Sequence, residues 1–287
     1  MFTLPLWDDN PTHRTPWVTW LLMAISIAVF LWQQSLPDTG ERAFVFAFGV
    51  IPAVLLGGAE LSPELAIVPP WASVFTSMFV HGGWMHLIGN MLYLWIFGNN
   101  VEDSMGHGRY LVFYLLCGVA AVLAQSLPAP GSEIPMVGAS GAIAGVLGAY
   151  LLLHPKANVV VLLVIIIFVR LINVPAVVVL GLWFVVQVWS GLGATGDEGG
   201  VAFLAHVGGF VAGVALIGLF KERQVPLFGA ARSTAFQTAP GSALRPGGPP
   251  RVEGVPVHPL GPPGRHRGSV PPSGRDDAHR RPKGPWS

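Results

Sequence analysis

The chain has 287 residues, of which 52% are hydrophobic and only 11% are charged. Soluble domains carry about 25% charged residues, so this composition excludes an ordinary soluble domain and predicts a polytopic membrane protein. The single cysteine, Cys117, excludes both an internal disulfide framework and a multi-cysteine zinc site. The net charge of +1 hides an uneven distribution: residues 1–220 hold five basic and 11 acidic residues, whereas residues 221–287 hold 11 basic and four acidic residues.

Six apolar segments are candidates for membrane spans, because a bilayer core of about 30 Å needs about 20 helical residues. In chain order they are Trp17–Leu36, Trp84–Gly98, Tyr110–Leu127, Met136–Leu153, Val174–Ser190 and Val201–Phe220. The second is what remains of the uncharged stretch Leu65–Val101 after Pro69, Pro70 and the pair Gly82-Gly83 interrupt it. Two further apolar segments, Phe44–Gly57 and Ala157–Val169, are expected at the membrane interface; a helix over the latter would be only about 20 Å long.

The charge distribution favours six spans with the amino terminus inside. This topology places 15 basic residues on the inner side and only Arg42 outside, as the positive-inside rule requires. A seventh span would move the basic tail outside and is rejected. We therefore predict an all-α fold: a cytoplasmic segment over residues 1–16, a six-helix membrane domain over 17–220, and a cytoplasmic tail over 221–287.

The tail contains 13 proline and 10 glycine residues among its 67 residues. It has no apolar periodicity and buries too little surface to offset its chain entropy, so we predict that it is disordered. A simply solvated tail is the first interpretation. Contact with anionic lipid headgroups is the alternative, because basic segments beside a membrane helix are attracted by the surface potential. We expect no nucleic-acid partner.

Polar side chains inside a membrane are costly and usually functional. Those in or against the predicted spans are His81, His86, Asn90, Ser140, Gln187 and His206. Any one of them could simply join two helices. In the six-span topology, however, spans two, four and six all begin on the outer face, so four of these residues converge at one depth: His86, Asn90, Ser140 and His206.

These residue types support acyl-transfer chemistry. A serine hydroxyl needs a base within hydrogen-bonding reach, and His206 lies beside Gly209 and Gly213, whose spacing allows another helix backbone to come close. Ser140 begins a predicted helix, where free N–H groups favour negative charge. Asn90 and His86 can add donors to an oxyanion site. Because the spans contain no carboxylate to orient the base, we predict a Ser–His dyad rather than a triad.

Other site types are excluded by their missing residues. Residue 142 is alanine, so the segment around Ser140 is not the G-x-S-x-G elbow of soluble hydrolases. His81 and His86 have poor helical spacing for a shared metal and no accompanying carboxylate. There is no phosphate-binding or dinucleotide-binding glycine motif. We therefore expect neither a metal nor a cofactor.

Four segments together resemble the rhomboid family of intramembrane serine proteases: His81–Met91, Gly98–Asp103, Gly138–Gly141 and Ala205–Gly209. The resemblance covers roughly residues 71–220 and implies a six-helix bundle whose water-filled cavity opens to the outer side. It also implies roles for single residues: Ser140 as nucleophile, His206 as general base, and His86, Asn90 and the serine N–H as oxyanion donors.

The resemblance further implies substrates that are membrane-anchored proteins, typically with a single span, and neither a metal nor a cofactor. The chain looks like a six-span bacterial member, located in the cell (inner) membrane with both termini in the cytoplasm.

The chain also departs from patterns that some rhomboid proteins carry. The stretch Trp71-Ala72-Ser73 lacks the arginine that follows the tryptophan in those members, and Ala144 stands where they have a tyrosine that stacks on the base. A catalytically inactive rhomboid-like scaffold that holds membrane clients is the alternative function; it would be marked by loss of Ser140 or His206, and both are present. A transporter would favour paired repeats of the spans, and the sequence has none.

Overall fold

A computed structural model of the chain describes residues 2–165, 168–193 and 202–229. Its helices are α1 Trp17–Gln34, α2 Asp38–Phe48, α3 Pro52–Leu55, α4 Pro70–Thr76, α5 Trp84–Met105, α6 His107–Ser126, α7 Ser140–Leu153, α8 Ala176–Gly193 and α9 Phe203–Phe220, with a 3₁₀ turn at Ser77–Phe79. Its strands are β1 Phe2–Asp8, β2 Asn158–Ile165 and β3 Phe168–Pro175.

One helix overlaps each of the six predicted spans. Three of them are long and apolar enough to cross a membrane by length and composition alone, namely α1, α6 and α9. Helices α7 and α8 are apolar but shorter, and α5 runs on to Met105 through the polar residues Glu102 and Asp103. The apolar helices indicate an integral membrane protein.

The prediction of an all-α fold was correct in part: the described chain is mostly helical, but it also contains a sheet. Strands β1, β2 and β3 form a three-stranded antiparallel sheet in that order, with Leu4 opposite Leu162 and Leu162 opposite Leu171. The segment expected to be an apolar interfacial stretch is rich in valine, which favours strands, and it is too short to cross as a helix. Span five was predicted to start at Val174, but α8 starts at Ala176. Val174 and Pro175 are instead the last two residues of β3.

A buried carboxylate joins the end of α5 to the start of α1. Glu102 is fully buried and accepts hydrogen bonds from the backbone N–H groups of Val18 and Thr19 at 2.9 and 2.8 Å and from the Thr19 hydroxyl at 2.7 Å. Helix α1 has no capping side chain of its own. Glu102 therefore satisfies its free N–H groups and places a negative charge at the positive end of its dipole.

The segment before α1, predicted only as a cytoplasmic extension, is anchored to the helices through Asp8. Its carboxylate accepts hydrogen bonds from the Tyr150 hydroxyl at 2.5 Å and from the Asn100 side chain at 2.8 Å. Burial, reinforced by the neighbouring Asp9, raises the pKa of Asp8 to about 7 despite the opposing effect of the Tyr150 hydrogen bond.

Helices α7 and α9 pack backbone against backbone through the small faces predicted from the sequence. A Cβ atom added at Gly209 would collide with the Gly141 carbonyl, and one added at Gly213 would collide with the Gly145 carbonyl. Glycine at these positions therefore allows a separation that any larger residue would prevent. This close approach sets the distance between the first turns of the two helices, where Ser140 and His206 lie.

The start of the predicted tail follows α9 closely. Arg14 and Glu222 form an ion pair at 2.6 Å, and the backbone N–H groups of Phe228 and Gly229 donate to the carbonyls of Leu152 and Leu153. The prediction of disorder falls mainly on residues 230–287, which lie outside the described residues.

Candidate active site

A serine and a histidine meet at the start of two helices. Ser140 is the first residue of α7 and His206 lies in the first turn of α9. The distance between Ser140 Oγ and His206 Nε2 is 2.8 Å, which is a hydrogen bond of ordinary length. The imidazole is buried, with 8% of the residue exposed. A serine hydroxyl held against an imidazole nitrogen is the arrangement that nucleophilic catalysis by serine requires.

The other imidazole nitrogen of His206 faces α8. Its Nδ1 lies 2.7 Å from Gln187 Oε1, and the indole ring of Trp183 lies 5.7 Å from the imidazole, centroid to centroid. The sequence identified Gln187 as a polar residue within a span but assigned it no role, and it did not single out Trp183. The signal available in the sequence was that Gln187 is the only strongly polar side chain in Ala176–Ser190 apart from the terminal serine.

Gly138 shapes the space in front of Ser140. Its φ of +121° is a backbone conformation that residues other than glycine rarely adopt. Its N–H donates to the Ser77 carbonyl at 2.9 Å. A Cβ atom at this position would lie 2.6 Å from His86 Nε2 and 3.6 Å from Asn90 Nδ2. The two predicted oxyanion donors therefore face the residue that lies two positions before the serine.

The tautomer of His86 follows from its neighbour. The Gly82 N–H points at His86 Nδ1 over a long 3.4 Å, so Nδ1 is the acceptor and, in the neutral ring, Nε2 carries the proton. That proton points towards Gly138. Asn90 adds a second donor: its side-chain Nδ2 is buried and has no hydrogen-bond partner in the described part of the chain. Buried donors normally have partners, so this one is a candidate to bind an oxygen from outside the described chain.

His81, also identified from the sequence, lies behind this pair rather than in it. It is fully buried, its Nδ1 lies 3.2 Å from the Phe79 carbonyl, and its ring packs edge-on against His86 at 5.3 Å. Burial, with a smaller effect from His86, lowers the pKa of His81 to about 4, so the ring is neutral at neutral pH. Its carbonyl accepts from the Gln33 side chain at 2.8 Å, which fixes the loop before α5 to α1.

A small cavity of about 40 Å³ opens beside Ser140. Its walls include Met78, Gly118, Ala121, Val122 and Gly141. By this measure a single water needs about 10–15 Å³, so the cavity can hold a few waters or a small side chain.

The two departures from the pattern of some rhomboid proteins are Ala144 and the stretch that begins at Trp71. Ala144 is fully buried in α7 and offers the imidazole no ring; the ring near His206 is Trp183 of α8 instead. Trp71 lies in α4 and is 68% exposed. Within the described ranges no group of three or more histidine, cysteine or acidic residues could hold a metal ion.

Comparison with known proteins shows the family to which the chain belongs. The family model described as "Rhomboid domain" matches residues 69–223, more than half of the chain. The rhomboid protease GluP of Bacillus subtilis is 32% identical over 203 residues, covering 70% of this chain and 35% of that protein.

Two further relatives come from eukaryotic organelles. Rhomboid protein 1, mitochondrial, of Saccharomyces cerevisiae is 33% identical, covering 53% of this chain and 42% of that protein. Rhomboid-like protein 11, chloroplastic, of Arabidopsis thaliana is 30% identical, covering 54% of each chain. This chain thus spans between about a third and a half of the length of these relatives. The match over residues 69–223 shows that the chain belongs to the rhomboid family.

Proposed function

We propose that this protein is an intramembrane serine endopeptidase that cleaves membrane-anchored proteins with a Ser140–His206 dyad. The observation that carries the proposal is the 2.8 Å contact between Ser140 Oγ and His206 Nε2. The buried Asn90 Nδ2, which has no hydrogen-bond partner among the described residues, supports it. A structural serine would not need an unpartnered donor beside it.

In the proposed reaction, Ser140 Oγ attacks the carbonyl carbon of the scissile peptide bond while His206 Nε2 takes the hydroxyl proton. The negative charge forms on the carbonyl oxygen, where the His86 Nε2–H, the Asn90 side chain and the free N–H at the start of α7 can donate to it. When the C–N bond breaks, His206 returns the proton to the leaving amine. Water, activated by the same imidazole, then hydrolyses the acyl-serine.

The substrate reaches Ser140 from within or beside the membrane in this proposal. In this proposal the six spans are α1, α5, α6, α7, α8 and α9 in the inner membrane of a bacterial cell. The distribution of basic residues supports a topology with both termini in the cytoplasm and the dyad towards the outer face. The 40 Å³ cavity beside Ser140 favours a small side chain next to the cleaved bond. The substrates we propose are single-span proteins, and the tail beyond residue 229 contacts the surrounding solvent or anionic headgroups.

A catalytically inactive scaffold is the second candidate. The family includes relatives whose names say only that they are rhomboid-like, such as the chloroplast protein above. This chain keeps a paired serine and histidine and an unoccupied donor beside them, which a scaffold has no reason to retain.

The test is cleavage of a model single-span substrate by purified protein in detergent and in liposomes. We expect Ser140→Ala and His206→Ala each to abolish cleavage, and the double variant to be no worse than either, because the two residues act as a unit. The matched control is Ser126→Ala, a buried serine in α6, which should cleave at the wild-type rate. Equal cleavage by wild type and Ser140→Ala would contradict Ser140 as the nucleophile, and no cleavage by folded wild type would favour the scaffold.

A further inference from the structure

Helix α8 presents two of its side chains to the general base. The side of α8 that points away from the other helices is strongly exposed, with Leu182 at 64% and Trp189 at 79%. Gln187, by contrast, is only 9% exposed. Trp183 lies one helical turn before Gln187, so the two side chains share a face, and both contact the His206 ring. An amide in an otherwise apolar helix is costly to bury unless it is hydrogen-bonded.

The direction of the hydrogen bonds assigns each proton. Gln187 Oε1 can only accept, so the 2.7 Å contact to His206 Nδ1 requires Nδ1 to carry the proton. In the neutral ring, Nε2 is then free to accept from Ser140 Oγ at 2.8 Å. Donation therefore runs from the Ser140 hydroxyl to the imidazole and from the imidazole to Gln187. This is the tautomer that a general base for Ser140 needs, and a carboxylate fixes it in Ser–His–Asp enzymes.

A neutral amide suits this location better than a carboxylate. An ionised group buried among apolar helices would pay a large desolvation cost, whereas the amide dipole stabilises the protonated imidazole without a net charge. Trp183 limits how far the ring can tilt away from Ser140. These contacts also replace what the tyrosine of other family members would supply at position 144, because Ala144 has no ring to offer.

We propose that Gln187 is a positioning residue that holds the His206 imidazole in its catalytic tautomer, so that the proposed dyad functions as a Ser140–His206–Gln187 relay whose third member comes from α8. This inference rests on the proposed protease function. It implies that the base is oriented only while α8 is seated against α9.

The test compares Gln187→Leu, Gln187→Glu and the control Val186→Ala, whose side chain lies on the exposed side of the same helix at 49% exposure. In Gln187→Leu the acceptor is lost at similar size, and we expect kcat to fall about 10- to 100-fold, the range for one hydrogen bond to a group that becomes charged, with KM unchanged. In Gln187→Glu a carboxylate would stabilise the protonated imidazole, so the acidic limb of the pH profile of kcat/KM should move to higher pH. Val186→Ala should match wild type in both measurements.

The pH profile separates positioning from mere packing, because a structural role would not move it. Wild-type kcat in folded Gln187→Leu, or an unshifted profile in Gln187→Glu, would overturn the role of Gln187 while leaving the dyad intact. If Gln187→Leu does not fold, the pH profile of Gln187→Glu decides alone. A folded wild type that shows no Ser140-dependent cleavage would instead contradict the proposed function, and the Gln187 role with it.

Discussion

Replacing Asn90 by leucine should separate activity from stability. The Asn90 Nδ2 is buried without a hydrogen-bond partner among the described residues, and the residue as a whole is 7% exposed. A donor left without a partner in the folded protein costs about 1–3 kcal/mol. Leucine has a similar size and no donor, so Asn90→Leu should keep or raise the free energy of unfolding.

The same substitution should severely slow the reaction. Loss of one donor from an oxyanion site costs about 10²–10³ in kcat. The effect should fall on kcat rather than KM, because the donor meets its partner only when charge develops on the substrate oxygen.

Asn100→Leu is the matched control on the same helix. It lies about 15 Å away along α5, at 1.5 Å per residue, and it is also buried. Its side chain donates to Asp8 and accepts from Asn10 at 2.6 Å. Asn100→Leu should therefore lower the free energy of unfolding by about 1–3 kcal/mol and leave kcat per folded molecule unchanged.

The assay measures thermal unfolding and substrate turnover on the same purified samples. We expect the two variants to show opposite patterns: Asn90→Leu stable and slow, Asn100→Leu less stable and fast. Wild-type kcat in Asn90→Leu, or a stability loss equal to that of Asn100→Leu, would contradict the role of Asn90 as an oxyanion donor. Asn90 would then be a residue that joins helices.

The remaining predictions concern the inner end of the helices and the tail. Glu102→Leu should lower the thermal midpoint more than Glu102→Gln does, since only glutamine keeps an acceptor for the N–H groups of Val18 and Thr19, and KM should not change. The pKa of Asp8 is about 7 in the folded protein, against a usual value of 3.8. The contribution of protonated Asp8 to the free energy of unfolding is therefore complete below pH 3.8 and is lost as the pH rises through 7. Asp8→Asn should lose less stability than wild type between pH 5 and pH 8, and equal losses would contradict the raised pKa of Asp8. Deletion of residues 230–287 should preserve cleavage in detergent and reduce it only modestly in anionic liposomes, because the truncation leaves the contacts of Phe228 and Gly229 with α7 in place; complete loss in detergent by a folded truncated protein would contradict the proposed topology.

The sequence was sufficient to locate six of the nine described helices, α1 and α5 to α9, and the residues that meet near Ser140. Apolar length and the positive-inside rule depend only on composition, so the six long helices could be located from the sequence. The small residues around Gly141 and Gly209 have one physical use, close helix packing, and the structure shows that contact.

The sheet and the partner of the base could not be predicted in the same way. Residues 159–165 are all apolar, and such a run does not distinguish a strand from a membrane segment. The pairing of β2 with β1 joins segments about 150 residues apart. Gln187 was visible as a polar residue, but its register against His206 depends on how α8 rotates, which a single uniformly apolar helix does not reveal. For the same reason, the sequence alone did not predict that the ring beside His206 would be Trp183 of α8 and not a side chain at position 144.

The most direct test of the dyad is covalent labelling with a fluorophosphonate probe that reacts with activated serines, followed by peptide mapping of the modified residue. We expect one adduct, on Ser140 Oγ, in wild-type protein, no adduct in Ser140→Ala, and strongly reduced labelling in His206→Ala. Labelling of a different serine, or a Ser140 that stays unlabelled in folded wild-type protein, would contradict the proposed dyad.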